Sequence, residues 1–268
     1  MTTSLQESMG VRVTYSPEHW VTPEFDYCQL LSHMSLPNNS GALFHSKVGI
    51  ARIALLGCGL GGVFGFHLLL FVLHPTNPLL ASWSLYAMAM CIYHFLEFLT
   101  TAINHPGAAN SDSFLLNHSK SFAAALVASW MEFWLGAWMF PQTKFALPEV
   151  QLIGLGMVIG GQLARTTAMY QAGPSFTHMI AYEKHPRHQL VTTGIYSLLR
   201  HPAYFGWFYW SIGTQLVLGN PVCFVVYWGV AWNFFRIRLA DEEEALVEMF
   251  GSEYVQYQAR SYIGIPFI

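Results

Sequence analysis

A chain of 268 residues that is 53% hydrophobic, 16% aromatic and only 10% charged falls well below the roughly 25% charge of soluble domains. A fold of this size still needs a wettable surface, so the deficit excludes an ordinary soluble globule and sets apolar side chains against lipid; the mean hydropathy of +0.36 agrees. The net charge of −3 gives no general affinity for nucleic acid.

Residues 1–46 are polar and carry Glu7, Glu18, Glu24 and Asp26. No basic stretch leads into an apolar one there, so no cleaved signal peptide is expected and insertion falls to the first spanning helix. Apolar runs of about 20 residues, the length of a membrane crossing, follow at 48–73, 83–103, 121–140 and 150–169. Two shorter runs occupy 204–218 and 223–235, and Gly219-Asn220-Pro221 joins them as a tight hairpin. The expected fold is all-α, a polytopic membrane helical bundle of about six spans. Continuous apolar runs without period-two alternation argue against a β-barrel.

Within the first run, Gly57, Gly59, Gly61, Gly62 and Gly65 follow no strand and open no nucleotide-binding turn. Their expected use is to admit a neighbouring helix closely. Cys28, Cys58, Cys91 and Cys223 are scattered, with no metal or disulfide spacing, and read as small buried hydrophobes. Glu97, Glu132 and Arg165 read first as interhelical pairs or span-end residues. A polar pathway through the bundle is the alternative, and for Glu132 and Arg165 the rim of a lipid entrance.

Six of the twelve lysines and arginines follow position 180: Lys184, Arg187, Arg200, Arg236, Arg238 and Arg260. The last hairpin returns to the side it left, so both its ends share one basic face, which the positive-inside rule puts in the cytosol. Three polar clusters gather there. They are 188–196, then Arg200-His201-Pro202-Ala203-Tyr204-Phe205-Gly206-Trp207, then Arg236-Ile237-Arg238 with Asp241-Glu242-Glu243-Glu244. The hairpin brings the second beside the third. Pro202 suits the first position of a helix, whose free N–H groups can receive an anion. Arg238 and Glu242 are i,i+4 and share a helix face. That spacing allows a plain intrahelical salt bridge. It also allows one site for two opposite charges, the arginine forking onto a carboxylate and the glutamate facing an ammonium or sulfonium. His185, His188 and His201 lack a partner at zinc-ligand spacing, so no metal is expected. Leu246, Phe250, Tyr254 and Tyr257 form one helical face, suited to the membrane surface or to packing on the site.

At these clusters the sequence resembles the isoprenylcysteine carboxyl methyltransferase family. The resemblance rests on 188–196, on the run from Arg200 through Gly206-Trp207-Phe208-Tyr209-Trp210 to Gln215, on Asn220-Pro221, and on Phe234-Phe235-Arg236 with Arg238. Glu242-Glu243, Phe250-Gly251, Tyr254, Tyr257 and the closing Gly264-Ile265-Pro266-Phe267-Ile268 continue it. Upstream, Asp112-Ser113-Phe114-Leu115-Leu116-Asn117-His118-Ser119 belongs to it as well. It covers roughly 47–268. It implies S-adenosyl-L-methionine as cofactor and, as partner, the prenylated C-terminal cysteine of CaaX proteins, farnesyl or geranylgeranyl, presented from membrane lipid in the endoplasmic reticulum. By matching position, His188, Gln189, Leu190, Val191, Tyr196, His201, Pro202, Ala203, Tyr204 and Glu242 contact the cofactor, and Arg238 binds the substrate carboxylate, Arg238 and Glu242 forming the catalytic pair. It divides the chain into a polar segment (1–46), transmembrane helices (47–182) and a cofactor-binding catalytic region (183–268). Ala181 departs from it, standing where related enzymes can carry a polar cofactor contact. Residues 1–46 do not resemble the two N-terminal spans of longer members. Phospholipid methyltransferases and sterol reductases share the Arg-His-Pro-x-Tyr neighbourhood and remain alternatives at this point. A transporter or structural membrane protein accounts for the hydropathy but not for the C-terminal gathering of charge.

Overall fold

The computed structural model describes residues 47–268 apart from 118, 142 and 184–187. Expectations concerning residues 1–46, Cys28, His118, Lys184, His185 and Arg187 fall outside the described residues.

Among the described residues the architecture is all-helical. The long helices are α1 (Lys47–Leu73), α2 (Pro78–Asn104), α3 (Lys120–Met139), α4 (Pro148–Ala172), α5 (Pro202–Leu218) and α6 (Pro221–Phe250), and a short α7 (Ser252–Gln258) follows. Proline opens α2, α4, α5 and α6, where its missing N–H costs no intrahelical bond. A 3-10 turn, Ser111–Phe114, follows α2, and another, Gly194–Ser197, precedes α5. Gly194, Gly219 and Gly251 turn the chain at positive φ of 62°, 63° and 57°. The Gly251 turn separates α6 from α7, so Leu246 and Phe250 stand on a different helix from Tyr254 and Tyr257.

The protein is a multi-pass membrane protein. Gly49–Leu73, Pro78–Asn104, Lys120–Met139 and Pro221–Phe250 are each long and apolar enough to cross, with mean hydropathies from 2.0 down to 1.2. The other two expected crossings are not among them. α5 has 17 residues, and α4 is diluted by Gln151, Gln162 and Arg165. These two helices pack closely on each other. Gly154 faces Gly213 and Gly161 faces Gly206, so the helices run antiparallel with their small residues one heptad apart. A Cβ on Gly161 would lie 2.5 Å from the Gly206 carbonyl oxygen, and one on Gly206 would lie 2.5 Å from that of Gly161. Only backbone contact fits there, the arrangement small residues permit between membrane helices. The glycine cluster on α1 does not do this. A Cβ at Gly57, Gly59, Gly61, Gly62 or Gly65 would meet nothing within 4 Å, and Cys58 on the same helix is exposed rather than buried.

A polar knot closes the α5–α6 hairpin at the end away from the basic clusters. Asn220 Nδ2 donates to the Ser129 carbonyl (2.9 Å) and Lys144 Nζ to the Gly219 carbonyl (3.1 Å). The Glu132 carboxylate accepts from the N–H groups of Val222 (2.8 Å) and Cys223 (2.6 Å). Glu132 thus caps the start of α6 from a neighbouring helix, answering donors that α6 cannot satisfy itself. It lies at the opposite end of the bundle from the basic clusters, which removes it from the rim of a lipid entrance there. The membrane core on this side packs Tyr86, Tyr93, Phe133, Trp210 and Leu218 together.

Overpacking the α4–α5 seam is predicted to be severe. Gly161→Val should lower the unfolding midpoint of the detergent-extracted protein by several degrees or prevent folding, overpacking costing about 1–3 kcal/mol even where neighbours can yield. Gly59→Ala, with open space at its Cβ, should stay within about 0.5 kcal/mol of the parent.

Candidate active site

The basic clusters meet at the other end of the hairpin, as folding back of the chain requires. α5 begins at Pro202 and α6 runs past the expected end at Phe235 for four more turns, which carries Arg238, Glu242 and Glu243 alongside the start of α5. A pocket open to solvent forms there, with a cavity volume of about 110 Å³. His188, Gln189, Leu190, Val191, Tyr196, His201, Pro202, Ala203, Tyr204 and Glu242 all line it. Arg238 is not in the lining; it lies on the far side of Tyr204.

Tyr204 connects the two. Its hydroxyl donates to Glu242 Oε2 and accepts from Arg238 Nε at 2.7 Å. One hydroxyl has the proton for the first bond and the lone pairs for the second. The Arg238 guanidinium also lies 5.4 Å from the centre of the Tyr204 ring, and its Nη2 donates to the His178 carbonyl at 2.6 Å. Arg238 and Glu242 are therefore not the plain i,i+4 salt bridge that spacing allows. They are joined through the tyrosine, and the guanidinium is aimed by two acceptors with its outer N–H groups still available.

The next glutamate has a different duty. Glu243 Oε1 accepts from Arg200 Nε (2.6 Å), His201 Nε2 (2.6 Å) and the Tyr254 hydroxyl (3.1 Å), while Oε2 accepts from Gln258 Nε2. An ionised carboxylate only accepts, so the proton sits on Nε2 of His201. His201 Nδ1 then looks toward Glu242 Oε1, 3.9 Å away. His201 itself is buried and its ring stacks on Tyr204, 3° from parallel.

α7 and the tail fasten this corner from outside. The Tyr257 hydroxyl donates to the Tyr196 carbonyl (2.6 Å). Arg200 N–H donates to the Tyr262 carbonyl and Tyr262 N–H to the Leu198 carbonyl, both at 2.9 Å. Trp232 Nε1 donates to the Pro266 carbonyl at 2.7 Å. Burial pushes the Tyr196 and Tyr254 phenols up, and raises that of Tyr257 to about 12 despite the opposing Arg200 and Arg260 charges. All three stay protonated near neutrality, as their donor roles require, that of Tyr196 being to the Ala168 carbonyl at 3.2 Å. Tyr254 and Tyr257 are 1% and 2% exposed. The face they form therefore packs on the site.

Ser175, Phe176 and Thr177 also line the pocket and carried no sequence signal. They belong to the segment after α4, which His105 Nε2 pins by donating to the Phe176 carbonyl at 2.8 Å. The wall of the pocket thus starts upstream of 183. Ala181 is in the lining and supplies only a methyl group.

A model of the isoprenylcysteine carboxyl methyltransferase family matches residues 153–248, the stretch that holds the α4–α5 seam and α6. The human protein-S-isoprenylcysteine O-methyltransferase is 44% identical over 220 residues, covering 81% of this chain and 75% of the relative. The Saccharomyces cerevisiae enzyme of the same name is 42% identical over 192 residues, 70% of this chain and 80% of the relative. A solved structure of the eukaryotic intramembrane Ras methyltransferase superposes with a TM-score of 0.76 at 40% identity, covering 81% of this chain and 77% of that one.

Glu243→Ala should detach the tail. Removing the carboxylate leaves partly buried donors unanswered, at about 1–3 kcal/mol for such a group. Limited proteolysis should then cut within or beyond Ser252–Gln258 faster than in the parent, while Glu242→Ala leaves that rate unchanged.

Proposed function

This chain belongs to the isoprenylcysteine carboxyl methyltransferase family, and from that premise we propose how its residues divide the work of methyl-esterifying the carboxylate of a prenylated cysteine. The methyl donor is S-adenosyl-L-methionine, held in the pocket between 188–196, the start of α5 and the end of α6. The pocket suits it chemically. Leu190, Val191, Leu246 and Met249 offer apolar surface for a purine and ribose, and Gln189 and His188 offer polar edges. Glu242 supplies a negative charge where a sulfonium or ammonium needs one. When bound, the cofactor supplies an electrophilic methyl group on sulfur.

The acceptor carboxylate is ionised at neutral pH and needs no base. The chain's task is therefore alignment, which contributes roughly 7–11 kcal/mol in well-oriented reactions. Arg238 holds that carboxylate with its outer N–H groups, while the Tyr204 hydroxyl and the His178 carbonyl keep the guanidinium from turning. Glu242, on the other side of the same hydroxyl, keeps the donor's charge one residue away. The observation that carries this division is the Tyr204 hydroxyl bonded at once to Arg238 and Glu242.

The substrate unites a polar end and a prenyl chain of farnesyl or geranylgeranyl type. Phe234 and Ile237, exposed beside Arg238, offer apolar surface along which such a chain can lie in the bilayer. The pocket end of the bundle carries Lys47, Lys120, Arg200, Arg236, Arg238 and Arg260, whereas Lys144 stands at the other. By the positive-inside rule the pocket faces the cytosol, the source of the cofactor, and the membrane is that of the endoplasmic reticulum. Methylation removes the substrate's terminal charge and so strengthens its hold on the bilayer.

Methyl transfer to N-acetyl-farnesylcysteine, measured with radiolabelled donor, tests the division. Arg238→Ala should lower it by at least about two orders of magnitude while cofactor affinity by calorimetry stays close to the parent. Retained turnover would remove Arg238 from the carboxylate. Glu242→Gln should weaken cofactor binding, and an unchanged dissociation constant would count against its role.

A further inference from the structure

Two buried charges lie outside the pocket lining and take no part in the chemistry above. Glu97 of α2 is 1% exposed and Arg165 of α4 is 7% exposed. Arg165 donates to Glu97 through Nε and, at 2.9 Å, through Nη2. Such a pair satisfies both partners. For stability alone an apolar pair of similar volume often serves as well or better, and ionisable groups among membrane helices generally mark function.

Arg238 is aimed by two acceptors, the Tyr204 hydroxyl and the His178 carbonyl, and each leads back to this pair. Arg165 Nη1 donates to the carbonyl of Ala203 at 3.3 Å, next to Tyr204 in the chain. Glu97 Oε2 lies 3.8 Å from His178 Nε2, close enough for charge attraction though not for a direct hydrogen bond. The result is a closed circuit: Arg238 to Tyr204, back through Ala203 to Arg165, across to Glu97, and through His178 to Arg238 again. The α4–α5 glycine seam lets it close, since Arg165 N would lie 2.6 Å from a Cβ on Gly206.

We infer that Glu97, Arg165 and His178 are positioning residues for the acceptor carboxylate, setting the direction of Arg238 from within the bundle by fixing its two acceptors relative to each other. This rests on Arg238 being the group that holds the carboxylate. None of the three is itself in the pocket lining, and among the described residues Glu97 and His178 bond to no residue named there, so the effect of changing these two falls on the prenylcysteine and not on the methyl donor. His178 stands at the surface, its side chain 37% exposed, so its ring can be removed at little cost to the fold.

The test uses the full chain in membranes or detergent, with N-acetyl-farnesylcysteine as acceptor. His178→Ala and Glu97→Gln should each raise the acceptor KM, by roughly three- to tenfold, with the cofactor dissociation constant unchanged. The double variant should be no worse than the more affected single one, because both cut the same circuit. Should Glu97→Gln fail to fold with Arg165 left unpaired, His178→Ala alone decides. An unchanged acceptor KM in that variant, or parallel loss of cofactor affinity, overturns the inference, as does full multiplication of the two effects. Arg238→Lys is the reference. If it leaves the acceptor KM unchanged, the carboxylate role of Arg238 itself falls. If it raises KM while His178→Ala does not, only the positioning role falls.

Discussion

A single phenol hydroxyl on Tyr204 stands between a cation, Arg238, and an anion, Glu242. Direct pairing of Arg238 with Glu242 would spend both charges on each other. Insertion of the hydroxyl, accepting at 2.7 Å from the arginine and donating to the glutamate, keeps them close and leaves each an open side. A hydroxyl is the smallest group able to do both at once. Much of the bundle serves to keep that phenol where it is. The glycine seam sets the depth of α5 against α4. Glu132 and Asn220 lock the remote end of the hairpin, so that α5 and α6 keep their register over the length that separates the knot from the pocket.

Two adjacent glutamates illustrate how helix geometry splits neighbours into different tasks. Successive residues on a helix point about 100° apart, so Glu242 lines the pocket while Glu243 turns to Arg200, His201, Tyr254 and Gln258. The second holds the tail against the first turn of α5 and fixes the tautomer of His201, which in turn stacks flat on Tyr204. A loss at Glu243 therefore reaches the pocket through the fold, whereas a loss at Glu242 removes a charge from the pocket lining itself.

Much of this was legible in the chain. Apolar runs located the helices to within a few residues at most ends, because hydropathy and proline mark membrane helices strongly. The exception is α6, which continues from Phe235 to Phe250; a helix that leaves the lipid becomes polar without ending, and hydropathy cannot tell the two apart. The ten pocket residues from His188 to Glu242 were found as polar clusters in an apolar chain and by family resemblance. Ser175, Phe176 and Thr177 were missed, since small and aromatic residues after a helix carry no signature of a wall. The glycines show the same limit. Five in a cluster on α1 drew attention and leave open space where a Cβ would stand, while the four that let α4 and α5 meet sit singly, spaced by seven on two helices distant in sequence, and pair only after folding.

The claim that one tyrosine unites donor and acceptor sites is tested most directly by a structure of the full chain with S-adenosylhomocysteine and N-acetyl-farnesylcysteine bound together. The account predicts the nucleoside between 188–196 and Glu242, the carboxylate within hydrogen-bond distance of Arg238, and the Tyr204 hydroxyl still between the two charged groups. A carboxylate held away from Arg238, or a nucleoside bound outside that pocket, would contradict it.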